Sequence, residues 1–313
     1  MAFPDFPSIK HTAYLQVEQA PNARRLMLLH AGIPAAVSLV LTFLSYLLSQ
    51  QIEGTGGLGG LGHRSILESA QSMLQILNMI FSLFWSYGLY RIVLNWSQGQ
   101  RAWDSDLLAG FRHFGPVLRA GLLQVFLYFA MVFVALQLSA LVFSMTPLAG
   151  PMTELAQQVL EDPDFMPTDE ALMDAVLPYL PFLLVFLMLL IVPLFYRLRM
   201  MEFVLMDMPQ HGALYAYRVS RFLMRGNCMK LLKLDLRFWW FYLLEILAAC
   251  LFYADLALPL LGADLGLSAD TLFFIACIFG LAAQVALYVW RKNQIMTAYA
   301  LVYRELLPKE QEA

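Results

Sequence analysis

Long apolar stretches alternate with short polar ones along most of the chain. Six stretches reach about twenty residues, the length a helix needs to cross roughly 30 Å of hydrocarbon. Leu26 to Gln51, Ser69 to Tyr90, Ala120 to Thr153, Leu177 to Tyr196 and Thr271 to Trp290 contain no Asp, Glu, Lys or Arg, and Phe238 to Leu258 contains only Glu245 and Asp255. Each is too long for a strand, and lipid leaves a single open segment no way but a helix to satisfy its backbone. The pattern predicts an all-α polytopic membrane protein with six transmembrane helices, one membrane domain over 1–313 with polar ends at 1–25 and 304–313. Gly32 and Pro34 are expected to bend the first span. Ala276, Gly280, Ala282, Ala283 and Ala286 give the last span a small face for close packing.

The polar connections carry a helical pattern of their own. Trp103, Leu107, Phe111 and Phe114 recur at helical spacing with Asp104, Asp106 and Arg112 between them. Asp104–Ser105 suits a helix start and Gly115–Pro116 a break, so a short amphipathic helix in the membrane interface is expected. Residues 211–225 repeat the design. Arg218, Arg221 and Arg225 form one stripe, Tyr215, Val219 and Phe222 an adjoining apolar face, and Gly226–Asn227 the end.

The two segments share a spacing: Phe111, Gly115, Arg119 in one and Phe222, Gly226, Lys230 in the other, each just ahead of a span. Val17, Pro21 and Arg25 offer a weaker version ahead of the first. The spacing suggests three parallel repeats, near 8–96, 104–206 and 211–304, each a surface helix followed by a transmembrane hairpin. Parallel repeats occur in transporters, but a repeat alone does not indicate transport.

Composition agrees with the membrane reading and excludes others. Of 313 residues 60% are hydrophobic and 14% charged, with mean hydropathy +0.64, against about 45–50% and about 25% in soluble domains. A net charge of −3 gives no footprint for nucleic acid. Lys and Arg are retained on the cytoplasmic side of a membrane. With both ends placed there, every basic residue of the 20 except Arg64 falls on that side. The opposite loop at 150–176 carries Glu154, Glu161, Asp162, Asp164, Asp169, Glu170 and Asp174 and no basic residue. The expected topology is N-in and C-in.

Several segments also carry a family resemblance. Met206-Asp207-Met208-Pro209, Ser220-Arg221, Leu223 to Asn227 and Lys230 through Asp235-Leu236 resemble a bacterial membrane-protein family catalogued as domain of unknown function 975. Leu107 to Phe114 and Thr297 to Leu306 look like the same family, so the resemblance runs from about residue 88 onward. It implies a six-span bacterial membrane protein. It supplies no reaction and no catalytic residue, and the Gly-rich and acidic loops find no counterpart in it.

Familiar chemistry finds little footing. Gly54 to Gly62 contains the pattern GxGxxG, but between two spans, without the strand and helix that dinucleotide binding needs; a flexible turn is expected. Asp162 and Asp164 could begin a calcium loop, yet Met166 takes the next ligand position, so a solvated acidic loop is expected. His11, His30, His63, His113 and His211 are scattered, and Cys228, Cys250 and Cys277 are too widely spaced for a disulfide framework or zinc site. Cys250 and Cys277 read as small core-facing groups. No nucleophile motif or Walker loop is present, and no cofactor is implied.

Polar residues inside the spans are the remaining candidates. Glu245 sits about one turn beyond the belt Phe238 to Tyr242, where an ionised carboxylate costs about 2–3 kcal/mol or more. A Glu245–Gln284 hydrogen bond is one reading, a proton- or cation-coupled site another, and snorkelling toward the surface a third. Gln71, Gln75, Asn78, Gln124 and Gln137 suit interhelical hydrogen bonds or, less simply, a solute path. Together Glu245, Gln284, Asn78 and Gln124 form the candidate intramembrane polar site. Arg218, Arg221, Arg225 and Lys230 are the candidate contact for anionic lipid headgroups or for an unidentified protein partner. The sequence thus points to a non-catalytic component that organises lipids or partners, with a permease or lipid-handling transporter as the alternative.

Overall fold

The computed structural model describes residues 6–54, 61–162, 168–251 and 269–307, about 90% helical and without a strand among them. Five helices are long and apolar enough to cross a membrane: Ala23–Leu48, Ser65–Ser97, Phe114–Ser144, Leu180–Asp207 and Thr271–Leu306. The remaining predicted span is described as a helix over Trp239–Cys250, 12 residues, and its residues 252–258 lie outside the described residues.

In chain order, α1 is Phe6–Gln19, α2 Ala23–Gly54 and α3 Leu61–Ser97. A 3-10 turn at Asp104–Leu108 leads into the single turn α4 (Ala109–Arg112), then α5 (Phe114–Ser144), α6 (Gly150–Glu161) and α7 (Asp169–Val176). Next come α8 (Leu180–Leu198), α9 (Met201–Asp207), α10 (Gly212–Met224), α11 (Cys228–Arg237) and α12 (Trp239–Cys250). Last are α13 (Ala269–Leu287), a π-helical turn at Tyr288–Lys292 and α14 (Asn293–Leu306).

The long helices stand in a row: α8 against α5, α5 against α3, α3 against α2, α2 against α13, and α13 against α12. Away from the charged termini they present large exposed apolar side chains, such as Val40 and Phe43, Met73 and Ile76, Phe126 and Phe129, Leu184 and Val185. In water such faces would be unstable; hydrocarbon covers them without cost.

Burial is concentrated at the other end, where most arginines lie. There the last turns of α3, with α9 and α14, form a packed core including Phe84, Ile92, Val93, Met200, Leu205, Ala298 and Tyr303. Three surface elements close it, each docked on the end of a different returning helix: α1 on α14, the Asp104–Leu108 turn and α4 on α3, and α10 on α9. Gly88 and Gly110 permit the second contact, since a Cβ at either would overlap a backbone carbonyl, of Leu107 and Phe84 respectively.

Several expectations are corrected. The element after Trp103 begins at Asp104 as predicted, but as a 3-10 turn, and Asp106 rather than Asp104 accepts the Trp103 N–H, at 2.9 Å. Its break falls at His113, and Gly115–Pro116 lies inside the first turn of α5, where proline is tolerated. The acidic segment is not a plain loop but holds α6 and α7, and the third span ends at Ser144 rather than Thr153. Thr168 caps α7 by accepting the Ala171 N–H. Beside the expected apolar face, of which Tyr215 and Phe222 are exposed, α10 has a second face, Ala213, Ala216, Ser220 and Leu223, that it buries. Small residues allow the close approach to α9, and the larger aromatics point away. Cys277 is buried as expected, with Ala276 beside it, but Cys250 is exposed. Most of the Gly-rich turn (55–60), Asp164 and Met166 lie outside the described residues.

Candidate functional site

The structure divides the candidate polar residues among three places. Glu245 does not meet Gln284. Its Oε1 accepts from Lys292 Nζ at 2.9 Å, across from α12 to the π-helical turn. The charge pair supersedes the expected amide bond because the π turn places Lys292 toward α12, with its ammonium 5.5 Å from the Phe241 ring centre and 5.1 Å from that of Tyr288. An extra residue in a helical turn is a common device where a helix must present a side chain off its regular face.

Gln284 instead lines a cavity of about 290 Å³ between α2, α3 and α13, with His30, Ser38, Ser82, Ser86 and Tyr288. His30 is only 5% exposed. Its ring stacks on Trp85, and the Trp85 indole N–H donates to the His30 carbonyl at 2.8 Å. The His30 Nδ1 is buried without a partner. Asn78 reaches this cavity indirectly, accepting from Ser38 Oγ at 3.4 Å.

Gln124 lies elsewhere. Its Nε2 donates to Glu202 Oε1 at 2.8 Å, joining α5 to α9. Three residues earlier, Arg199 stands at the break between α8 and α9, its guanidinium 4.9 Å from the Phe195 ring centre and 4.5 Å from that of Tyr299. Asp235 on α11 accepts from Tyr196 at 2.7 Å and from Tyr299, which also bonds Tyr242. One carboxylate thus ties α11 to α8, α12 and α14. Gln137 and Gln75 are exposed and join no such bond.

The fourth place is at the surface. Arg218 and Arg221 of α10 and Arg225 just past its end share a pocket of about 440 Å³ with Arg197, Phe222 and Cys228. Gly212 and Gly226, both at positive φ, bound α10 and fix where its arginines project. Ser220 Oγ donates to the Arg197 carbonyl at 2.8 Å, holding the end of α8 against α10. Among the described residues none of these arginines pairs with a carboxylate. Burial pushes the Cys228 thiol up from its ordinary range. Lys230 points to Asn227, 3.4 Å away, and does not line the pocket. Nearby in sequence to the other surface element, burial and then Arg91 and Arg112 push the His113 imidazole below its ordinary range.

His30, Lys292, Arg199, Glu202, Asp235 and Arg197 are the residues that sequence reasoning did not single out. Asp235 had a signal, since Leu231, Leu234, Asp235 and Phe238 share one helical face. Lys292 had none, because a π turn breaks the regular spacing.

Comparison of the chain with protein-family models, with curated proteins and with solved structures finds no match.

Proposed function

We propose that the protein is a non-catalytic component of a bacterial cytoplasmic membrane that binds anionic lipid headgroups at its arginine-rich end, placed N-in and C-in. The observation that carries this reading is the pocket in which Arg197 meets Arg218, Arg221 and Arg225 without a neutralising carboxylate. Phe222 stands exposed beside them, so the element presents cations to phosphates and an aromatic side chain to the acyl boundary. Each cation near an anionic surface contributes roughly 1 kcal/mol. The family resemblance supports a bacterial membrane protein and adds no activity.

The test is thermal stability of the purified full chain in detergent. Added phosphatidylglycerol should raise its melting temperature, phosphatidylcholine should not, and Arg197→Gln with Arg221→Gln should remove the difference. Equal stabilisation by both lipids would overturn the reading.

A second reading, transport of a proton or small polar solute, is favoured by the buried, unpartnered Nδ1 of His30, whose residue lines a cavity with Ser38, Ser82, Ser86 and Gln284. Proteoliposomes loaded with a pH indicator would test it. A proton flux under an imposed potential that disappears with His30→Ala would replace the first reading, and no flux above empty vesicles would retire the second.

A further inference from the structure

A second arginine cleft, larger than the first, opens where α1, the start of α2 and the π-helical turn meet. It measures about 970 Å³, and its walls include Tyr14, Glu18, Arg24, Arg25, Trp290 and Arg291. The construction parallels that of the Arg197 pocket in three respects, although here the cations come from the start of α2 and the π-helical turn and not from the surface helix itself. In each, a surface helix docks on the end of a returning helix from another hairpin, α1 on α14 and α10 on α9. In each, the segment leading into that returning helix supplies an arginine to the wall, Arg291 from the π-helical turn in one and Arg197 from the end of α8 in the other. In each, the outgoing chain just past the surface helix completes the wall, with Arg24 and Arg25 in one and Gly226 and Cys228 in the other.

We infer that this cleft is a second site for an anionic phospholipid headgroup, the counterpart of the Arg197 pocket in a repeat of surface helix and hairpin. The inference rests on the headgroup reading above. Three guanidinium groups face the cleft against the single carboxylate of Glu18, and Arg25 is shared with Asp104 at 2.6 Å. Arg291 donates from Nη1 to Gln294 Oε1 at 2.6 Å, while its Nε is buried with no partner.

A lipid rather than free phosphate follows from what borders the cations. Trp290 and Tyr14 are both exposed, at 55% and 43%, and such aromatics favour the headgroup level of a bilayer. Val289 of the π-helical turn and Ala286 of α13 carry the wall onward along one of the long apolar helices. The volume stands at the upper end of the about 300–1,000 Å³ typical of ligand pockets. It accommodates a phosphate, its glycerol and the first segments of the acyl chains.

Native mass spectrometry of the full chain in detergent counts retained lipids, and fluorescence quenching by brominated phosphatidylglycerol, read as wild type minus Trp290→Phe, reports this cleft alone. The expected result is two phosphatidylglycerol molecules retained by the wild type, one by Arg24→Gln with Arg291→Gln, and one by Arg197→Gln with Arg221→Gln. Quenching of Trp290 should vanish only in the first variant. Arg24→Gln alone, at an exposed position, should weaken quenching severalfold without touching the fold. Unchanged quenching in the Arg24/Arg291 variant, equal quenching by brominated phosphatidylcholine, or displacement of the lipid by millimolar inorganic phosphate each overturns the inference. If instead only the Arg197/Arg221 variant keeps its full count, the headgroup reading of that pocket fails and this one stands.

Discussion

Gly110 lies against the carbonyl oxygen of Phe84 so closely that a methyl group at its Cα would overlap that oxygen. Gly88 stands in the same relation to Leu107, so the two glycines let α3 and the α4 segment touch backbone to backbone. Gly110→Ala or Gly88→Ala should lower stability by about 1–3 kcal/mol or more, because the obstacle is main chain and cannot swing aside. Gly32→Ala is the control. Nothing lies near its added Cβ, and it should leave stability unchanged or raise it by up to about 1 kcal/mol through helix propensity. Melting curves in detergent distinguish the two outcomes.

The Lys292–Glu245 pair predicts a non-additive result. The two side chains keep 17% and 29% of their exposure, so removing one partner should cost less than the about 3–5 kcal/mol of a fully buried pair. Glu245→Gln and Lys292→Met should each destabilise, and the double variant should be more stable than the sum of their losses implies. Strict additivity in a double-mutant cycle would mean that the pair contributes no coupling.

Asp235 serves four helices through tyrosine hydroxyls, and bonds to a charged acceptor are worth about 1.5–3 kcal/mol. Asp235→Asn should cost stability in that range. Tyr299→Phe removes the hydroxyl shared by Asp235 and Tyr242 and should cost at least as much as Tyr196→Phe. Urea or thermal unfolding of the three variants checks the order.

Cys228 offers a probe of orientation. Its thiol ionises above the ordinary range, so its thiolate fraction at neutral pH lies below that of a free cysteine. Labelling by maleimide should be slow near pH 7 and keep accelerating at pH values where a free thiol has already levelled off. In a Cys250→Ser, Cys277→Ser background, an impermeant maleimide should label intact cells poorly and opened cells well. Strong labelling of intact cells would invert the proposed topology.

The sequence was most informative where one physical constraint acts along one helix. Runs without charge marked the long helices, and the arginine spacing marked α10 almost to its ends. Reading failed where two helices decide jointly. The pattern of α10 shows its arginine stripe and the apolar face of Tyr215, Val219 and Phe222, but not the second face of Ala213, Ala216 and Ser220, which is small because α9 approaches it closely. The depth of Glu245 calls for a partner, and regular helical turns point to Gln284, but the π turn brings Lys292 into that role. The proximity of Arg197 to Arg221 arises from packing between separate elements, so no spacing along the chain signals it. The acidic segment at 150–176 was read by charge alone, which conceals the helical pattern of α6 and α7.

The docking of α1 on α14 sets an order of events during biosynthesis. Ile9, Ala13 and Val17 are buried in the finished core, but α1 leaves the ribosome long before its partner is made. Until α14 arrives, this apolar stripe must shelter at the membrane surface or with a chaperone. Chains halted before Asn293 would therefore be inserted yet unsealed, and that open seam is a feature by which quality-control proteases could tell an unfinished molecule from a complete one.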